Sequence, residues 1–177
     1  MLKVLNDKYG VDSAHFVTVH AMTATQKIID SYGKKDFRGG RAASENIIPS
    51  TSGASISVVE ALPELKGKLE GYSLRVPVID GSITSLTVNL KKQASVEQIN
   101  KAFMSSSMGE LKGILDFKDE SLVSTDIIHN PFSCIFDSQL TKVAGNSACV
   151  AGWYDNEWGY SNRLVDVAEL MLNYLLN

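Results

Sequence analysis

Ile83-Thr84-Ser85-Leu86-Thr87-Val88-Asn89-Leu90-Lys91 is the stretch that decides the fold class. Leu86, Val88 and Leu90 alternate with Thr87 and Asn89, so an extended chain here buries one face and shows the other to water. Residues 71–79 read as a neighbouring strand. Upstream, Ala14-His15-Phe16-Val17-Thr18-Val19-His20 is β-branched and aromatic and reads as a strand ending at His20. Downstream, residues 113–117, 133–137 and 140–153 are further β-like runs, the last broken by the turn signal Gly145-Asn146. Helical spacing marks residues 1–9, where Leu2, Leu5 and Tyr9 precede the stop Gly10, and residues 54–62, which end before Pro63. Residues 95–106 carry a capping box, Ser95 with Gln98, ahead of the stripe Val96, Ile99, Phe103. In the last segment Leu164, Val167, Ala168, Met171 and Leu175 share a helical face. Strands cluster in the middle with helices between and after them. The fold class expected is α+β, a mostly antiparallel or mixed sheet with helices packed on one side, in one domain over residues 1–177.

Composition narrows the function classes. The 177 residues are 44% hydrophobic and 21% charged, enough for one ordinary core and too apolar for a disordered chain. Seventeen basic against twenty acidic residues leave a formal net charge of -3 and a pI near 5.6. That balance argues against a surface matched to nucleic acid or to anionic lipid, and no apolar run reaches the length of a membrane span. Cys134 and Cys149 lack CxxC spacing, and there is no N-x-S/T sequon. With an opening that does not read as a signal peptide, these features predict a cytoplasmic protein. The plain reading of each cysteine is a buried small hydrophobe. The first helix has no N-cap in front of it, which suggests a chain that begins inside an element.

Residues 21–46 lose periodicity. Gly33, Gly39 and Gly40 mingle there with Lys34, Lys35, Asp36, Arg38 and Arg41. So long an irregular stretch in a compact domain is usually functional or covered by a partner. His20 leads into it from a strand end, whereas His15 and His129 read as structural. No HExxH, GxGxxG or GxxxxGK[ST] pattern occurs, so neither a metal site nor a phosphate-cradling dinucleotide fold is expected here. Thr23 follows His20 by three residues, and Ser52-Gly53 precedes a helix whose N–H groups suit an anion. Arg75 interrupts an apolar strand, where a charge must be paired or used to hold a ligand. The plainer account makes Ser52 a helix cap and Arg75 the partner of a buried carboxylate.

These residues sit inside longer motifs. Thr18-Val19-His20-Ala21-Met22-Thr23-Ala24-Thr25-Gln26, Phe37-Arg38-Gly39-Gly40-Arg41-Ala42-Ala43 and Asn46-Ile47-Ile48-Pro49-Ser50-Thr51-Ser52-Gly53-Ala54 come first. Pro63-Glu64-Leu65-Lys66-Gly67-Lys68-Leu69, Leu74-Arg75-Val76-Pro77 and Trp153-Tyr154-Asp155-Asn156-Glu157-Trp158-Gly159-Tyr160-Ser161-Asn162-Arg163 follow. In this order they resemble the catalytic domain of phosphorylating glyceraldehyde-3-phosphate dehydrogenases, over most of the chain. The resemblance implies His20 as the base that activates a cysteine thiol, with Thr23 and Arg75 holding the substrate's C3 phosphate. It implies Ser52 and Gly53 at the site of the attacking inorganic phosphate, and Asn156 with Tyr160 beside the nicotinamide of NAD. Residues 21–47 would be the family's S-shaped loop, packed at a subunit interface in a homotetramer.

The same resemblance implies oxidation and phosphorylation of D-glyceraldehyde 3-phosphate by NAD. It also implies that the nucleophile, in a Ser-Cys-Thr-Thr-Asn-Cys motif, and the N-terminal dinucleotide-binding domain both precede Met1. The chain alone is therefore expected to be inactive. Ser52 replaces the threonine of many members, and Gly39 stands where some carry an extra arginine. Val78-Ile79-Asp80-Gly81-Ser82 stands in place of the commoner Thr-Pro-Asn-Val-Ser. Two alternatives stay open: a non-catalytic assembly or binding module, and the catalytic domain of a related erythrose-4-phosphate dehydrogenase.

Overall fold

A computed structural model describes residues 1–33 and 36–176; Lys34 and Lys35 of the long loop lie outside the described residues. The strands are β1 (Val11–His20), β2 (Ile48–Thr51), β3 (Leu69–Arg75), β4 (Ser82–Leu90), β5 (Leu115–Lys118), β6 (Cys134–Ala144) and β7 (Ser147–Tyr154). They form one sheet in the order β2-β3-β1-β4-β7-β6-β5. Pairing is parallel between β1 and β3 and between β5 and β6, and antiparallel elsewhere. The sheet is mixed, within the α+β class expected.

Alternation explains how the sheet is covered. Leu86, Val88 and Leu90 of β4 point to the same face as Ala14 and Phe16 of β1 and Ala148 and Val150 of β7, and all are buried. Helices α1 (Leu2–Tyr9) and α3 (Val96–Met108) lie on that face and close the core with Leu2, Val4, Leu5, Ile99 and Phe103. Phe103 stacks on Phe136 of β6 with ring centroids 3.8 Å apart. The capping box of α3 forms as read: Ser95 N–H donates to Gln98 Oε1 at 2.8 Å, and Gln98 N–H to Ser95 Oγ at 3.3 Å. His15, Glu70, Thr87 and Asn89 line the uncovered, polar face.

Three details depart from the sequence reading. Residues 48–51 form an edge strand; Pro49 is tolerated there because an edge position need not donate on both sides. The strand expected over 71–79 stops at Arg75, two residues before Pro77 removes a donor. The last helix, α4 (Trp158–Leu176), has the expected apolar stripe, yet Leu164, Val167, Met171 and Leu175 are all exposed and only Gly159 is buried. Helix α2 (Ala54–Ala61) also buries none of its residues.

The long loop has little regular structure but is closed on itself. Its carboxylate Asp30 accepts from Arg41 Nε at 3.2 Å and from the Ala42 N–H at 2.8 Å, and Ser31 N–H donates to Gly40 O. Ile28, Ile29, Tyr32 and Phe37 are turned outward.

Candidate functional site

Strand register builds the site. His20, the last residue of β1, lies opposite Arg75, the last residue of β3. On the other side of β1, Val19 pairs with Ile83, so His20 comes level with Ser82, the first residue of β4, and Ser82 is itself paired with Tyr154 of β7. Four strands thus deliver Arg75, His20, Ser82 and Tyr154 to one rung at one end of the sheet. One rung further in, Ser73, Thr18 and Thr84 continue the polar surface, with Thr18 Oγ1 and Thr84 Oγ1 3.2 Å apart.

A cavity of about 510 Å³ opens over this end of the sheet and reaches the start of α2. It brings His20, Arg75, Ser52 and Gly53 together. A second cavity, of about 330 Å³, shares His20 and Tyr154 with the first and adds Asn156 and Tyr160. Of the seven residues singled out from the sequence, His20 and five others therefore line these two adjoining cavities. Thr23 lines neither cavity; it sits in a turn where its N–H donates to Gln26 Oε1 at 3.0 Å.

His20 is fixed at one nitrogen. Its Nδ1 lies 2.8 Å from the Ala21 carbonyl oxygen, which can only accept, so the proton sits on Nδ1 and Nε2 keeps its lone pair. Burial, and after it the Arg75 charge, pulls the imidazole below its ordinary value; the Ala21 carbonyl, Glu157 and Asp80 act the other way. A neutral imidazole with a free Nε2 is what a general base needs at neutral pH. The Tyr154 ring stands edge-on to it at 6.1 Å. Burial pushes the Tyr154 phenol up, opposed by the Thr84, Ser82 and Thr18 hydroxyls.

Arg75 answers the question the sequence posed. No ion pair holds it among the described residues; its guanidinium only reaches the Ala21 carbonyl, at a long 3.4 Å. Burial works against its charge. A partly buried, unpaired guanidinium beside a polar cavity is suited to an anion. Ser52 Oγ accepts from the Ala54 N–H at 3.2 Å, so it does act near the helix start, while Gly53 is the formal N-cap.

The two cysteines differ in how they stand to this site. Cys134 lines the larger cavity, but burial pushes its thiol up, away from the thiolate. Cys149 pairs with Thr87 on the opposite, polar face, where it lies 3.6 Å from Ser85 Oγ. Both are only partly buried, less than the plain reading expected. His15 and His129 lie outside both cavities.

Asp155 and Ser82 were not singled out from the sequence. Asp155 is 1% exposed and accepts from the N–H groups of His129, Glu157 and Trp158, which sets where α4 begins and where Asn156 stands. Its place beside Asn156 was the available signal; for Ser82 only the register reveals it.

A family model described as the glyceraldehyde 3-phosphate dehydrogenase C-terminal domain matches residues 1–156. The chain belongs to that family. It is 52% identical over 171 residues to a glyceraldehyde-3-phosphate dehydrogenase of Mycobacterium avium, covering 97% of this chain and 50% of the relative. Against glyceraldehyde-3-phosphate dehydrogenase 2 of Streptomyces arenae it is 49% identical, covering 97% and 51%. The chain spans about half the length of the curated relatives it matches. Among the described residues no group of His, Cys, Asp or Glu could hold a metal, and no helix is long and apolar enough to cross a membrane.

Proposed function

We propose that residues 1–177 are the catalytic domain of a phosphorylating glyceraldehyde-3-phosphate dehydrogenase of the cytoplasm. In this reading the domain works with a dinucleotide-binding half in a homotetramer. The observation that carries the reading is the unpaired Arg75 one strand away from a neutral His20 with its Nε2 free.

His20 Nε2 takes the proton from a cysteine thiol of the other half, and the thiolate forms a bond to the aldehyde carbon of glyceraldehyde 3-phosphate. Arg75 holds the C3 phosphate of that substrate; Thr23, which lines neither cavity, is assigned to the same phosphate by the motif resemblance alone. Asn156 and Tyr160 fit a nicotinamide, because both line the cavity that His20 shares. NAD, when bound there, supplies the acceptor for the hydride that leaves the substrate carbon. Ser52 Oγ and the backbone N–H groups at the start of α2 hold inorganic phosphate, whose oxygen opens the thioester and expels the thiolate. The bare stripe of α4 and the outward Ile28, Ile29, Tyr32 and Phe37 of the long loop are the surfaces this reading assigns to the other half and to neighbouring subunits.

The test joins this chain to the remaining half of the Mycobacterium avium relative and measures NADH formation from glyceraldehyde 3-phosphate, NAD and phosphate. The fused protein turns over, and the 177-residue chain by itself does not. Turnover by the chain alone, or none by the fusion, overturns the assignment. Faster oxidation of erythrose 4-phosphate than of the triose by the fusion would transfer the reading to the related dehydrogenase.

A further inference from the structure

The carbonyl oxygen of Ala21 faces two donors: His20 Nδ1 lies 2.8 Å from it and Arg75 Nη1 3.4 Å. Ala21 is fully buried, and the connection from β3 to β4 pins the backbone on both sides of it. Val76 N–H donates to His20 O at 3.1 Å, Met22 N–H to Val78 O at 2.9 Å, and Ala21 N–H to Ser82 Oγ at 3.2 Å. The oxygen cannot swing away from either donor without breaking these bonds. One fixed acceptor thus holds His20 and Arg75 as neighbours, on paired positions of β1 and β3, and both line the larger cavity.

The guanidinium meets the imidazole with its charge uncompensated, because no carboxylate pairs with Arg75 among the described residues. Arg75 of β3 makes His20 harder to protonate, while Glu157 ahead of α4 and Asp80 of the β3–β4 connection act the other way. Tyr154 of β7 stands edge-on to the ring, and burial keeps its phenol neutral. Of the charged groups around His20, Arg75 acts most strongly. An anion on Arg75 cancels that action and leaves burial alone opposing the proton.

We propose that occupancy of the anion site tunes the base: a phosphate ester held by Arg75 raises the affinity of His20 for a proton. The imidazole then takes a thiol proton most readily when substrate is in place. By linkage, a protonated His20 tightens the anion site by the same factor. The proposal rests on the reading of Arg75 as the holder of the C3 phosphate.

Two unit charges about 6 Å apart, the most the shared oxygen allows, change each other's titration midpoint by about half a pH unit in a water-like dielectric and by about two at an effective dielectric constant of about 20. A phosphate ester carries between about one and two negative charges over this range, so it cancels the guanidinium at least once.

The experiment titrates the 177-residue chain at fixed ionic strength, without NAD, and follows the ring carbon between the two nitrogens of each histidine by NMR. His20→Gln assigns the signal. Saturating glycerol 3-phosphate raises the His20 midpoint by about half a pH unit to two pH units. His15 and His129, outside both cavities, keep theirs, which separates the effect from screening. Arg75→Gln raises the His20 midpoint without ligand, and the ligand then adds nothing. Arg75→Lys retains the charge and the low midpoint.

An unchanged His20 midpoint in unliganded Arg75→Gln overturns the proposal. The phosphorus resonance of the ligand reports binding separately from the histidine. Binding that depends on Arg75 but leaves His20 unmoved removes the coupling and keeps the phosphate reading. No binding to the unsubstituted chain, or an equal rise of His20 in Arg75→Gln, removes the phosphate reading and the coupling together.

Discussion

Arg75 is the residue on which the anion site can be tested without any turnover. It lies at the end of β3 with no carboxylate within ion-pair distance among the described residues, and burial opposes its charge. Substituting Arg75→Gln removes the charge and breaks no ion pair. The unliganded Gln variant is therefore expected to melt no lower than the unsubstituted chain. The phosphate-dependent increment behaves differently. At a ligand concentration of about a hundred times Kd, binding to the folded state alone adds about 2.7 kcal/mol. For a chain of this size a change of 1 kcal/mol moves Tm by about 2–4 °C, so glycerol 3-phosphate raises it by about 5–10 °C. A guanidinium hydrogen-bonded to phosphate is worth about 1.5–3 kcal/mol, so the variant binds about ten- to a hundredfold more weakly. At the same ligand concentration its increment shrinks to about 1–5 °C. The assay is thermal unfolding followed by circular dichroism at fixed ionic strength, with sodium chloride as the control for screening. Equal increments in the two proteins would mean that the phosphate ester binds elsewhere. A large fall in Tm for the unliganded variant would mean that Arg75 is paired after all.

The other predictions concern the frame around that site. His20 has its folded value held below the ordinary one, so the unfolded chain binds the proton more readily and stability falls as pH drops below about 6.5. His20→Gln in phosphate-free buffer loses this part of the acid sensitivity; urea titrations between pH 7 and pH 5 that run parallel for both proteins would contradict it. Phe103 is fully buried and stacked on Phe136, so Phe103→Ala costs about 3–5 kcal/mol in urea unfolding, and a loss below about 1.5 kcal/mol would show that the core relaxes around it. Gly81→Ala meets both the positive φ and the Ser124 carbonyl, and is expected to destabilise by more than about 1 kcal/mol, whereas Gly53→Ala, whose new Cβ meets nothing within 4 Å, is close to neutral. Matching effects at the two glycines would refute the steric argument.

Much of the frame was legible because it rests on local rules. Alternation at Leu86, Val88 and Leu90 predicts a buried face, and Ser95 with Gln98 predicts a helix start, without reference to distant residues. The edge strand over residues 48–51 was not legible, because four residues containing a proline carry almost no period and are held by pairing to β3 alone. The amphipathic stripe of α4 was visible, but its exposure was not, since a pattern shows which face is apolar and not what covers it.

The same division runs through the site, and the reason is register. His20, Arg75, Ser52, Gly53, Asn156 and Tyr160 were named from strand ends, a misplaced charge and motif resemblance, and they converge on two adjoining cavities. Ser82 carries no such mark: a serine at a turn beside a glycine is ordinary in any sequence. It matters only because β1 pairs with β3 on one side and β4 on the other, so that His20 falls level with both Arg75 and Ser82. A shift of one residue between β1 and β4 would turn the Ser82 side chain to the opposite face and break its bonds to Ala21 and Asn156 together. The Thr18–Thr84 contact and the buried run Leu86, Val88, Leu90 one to four rungs inward hold that register. The apolar alternation that defines the fold is thus also what sets the hydrogen bonds of Ser82 at its end.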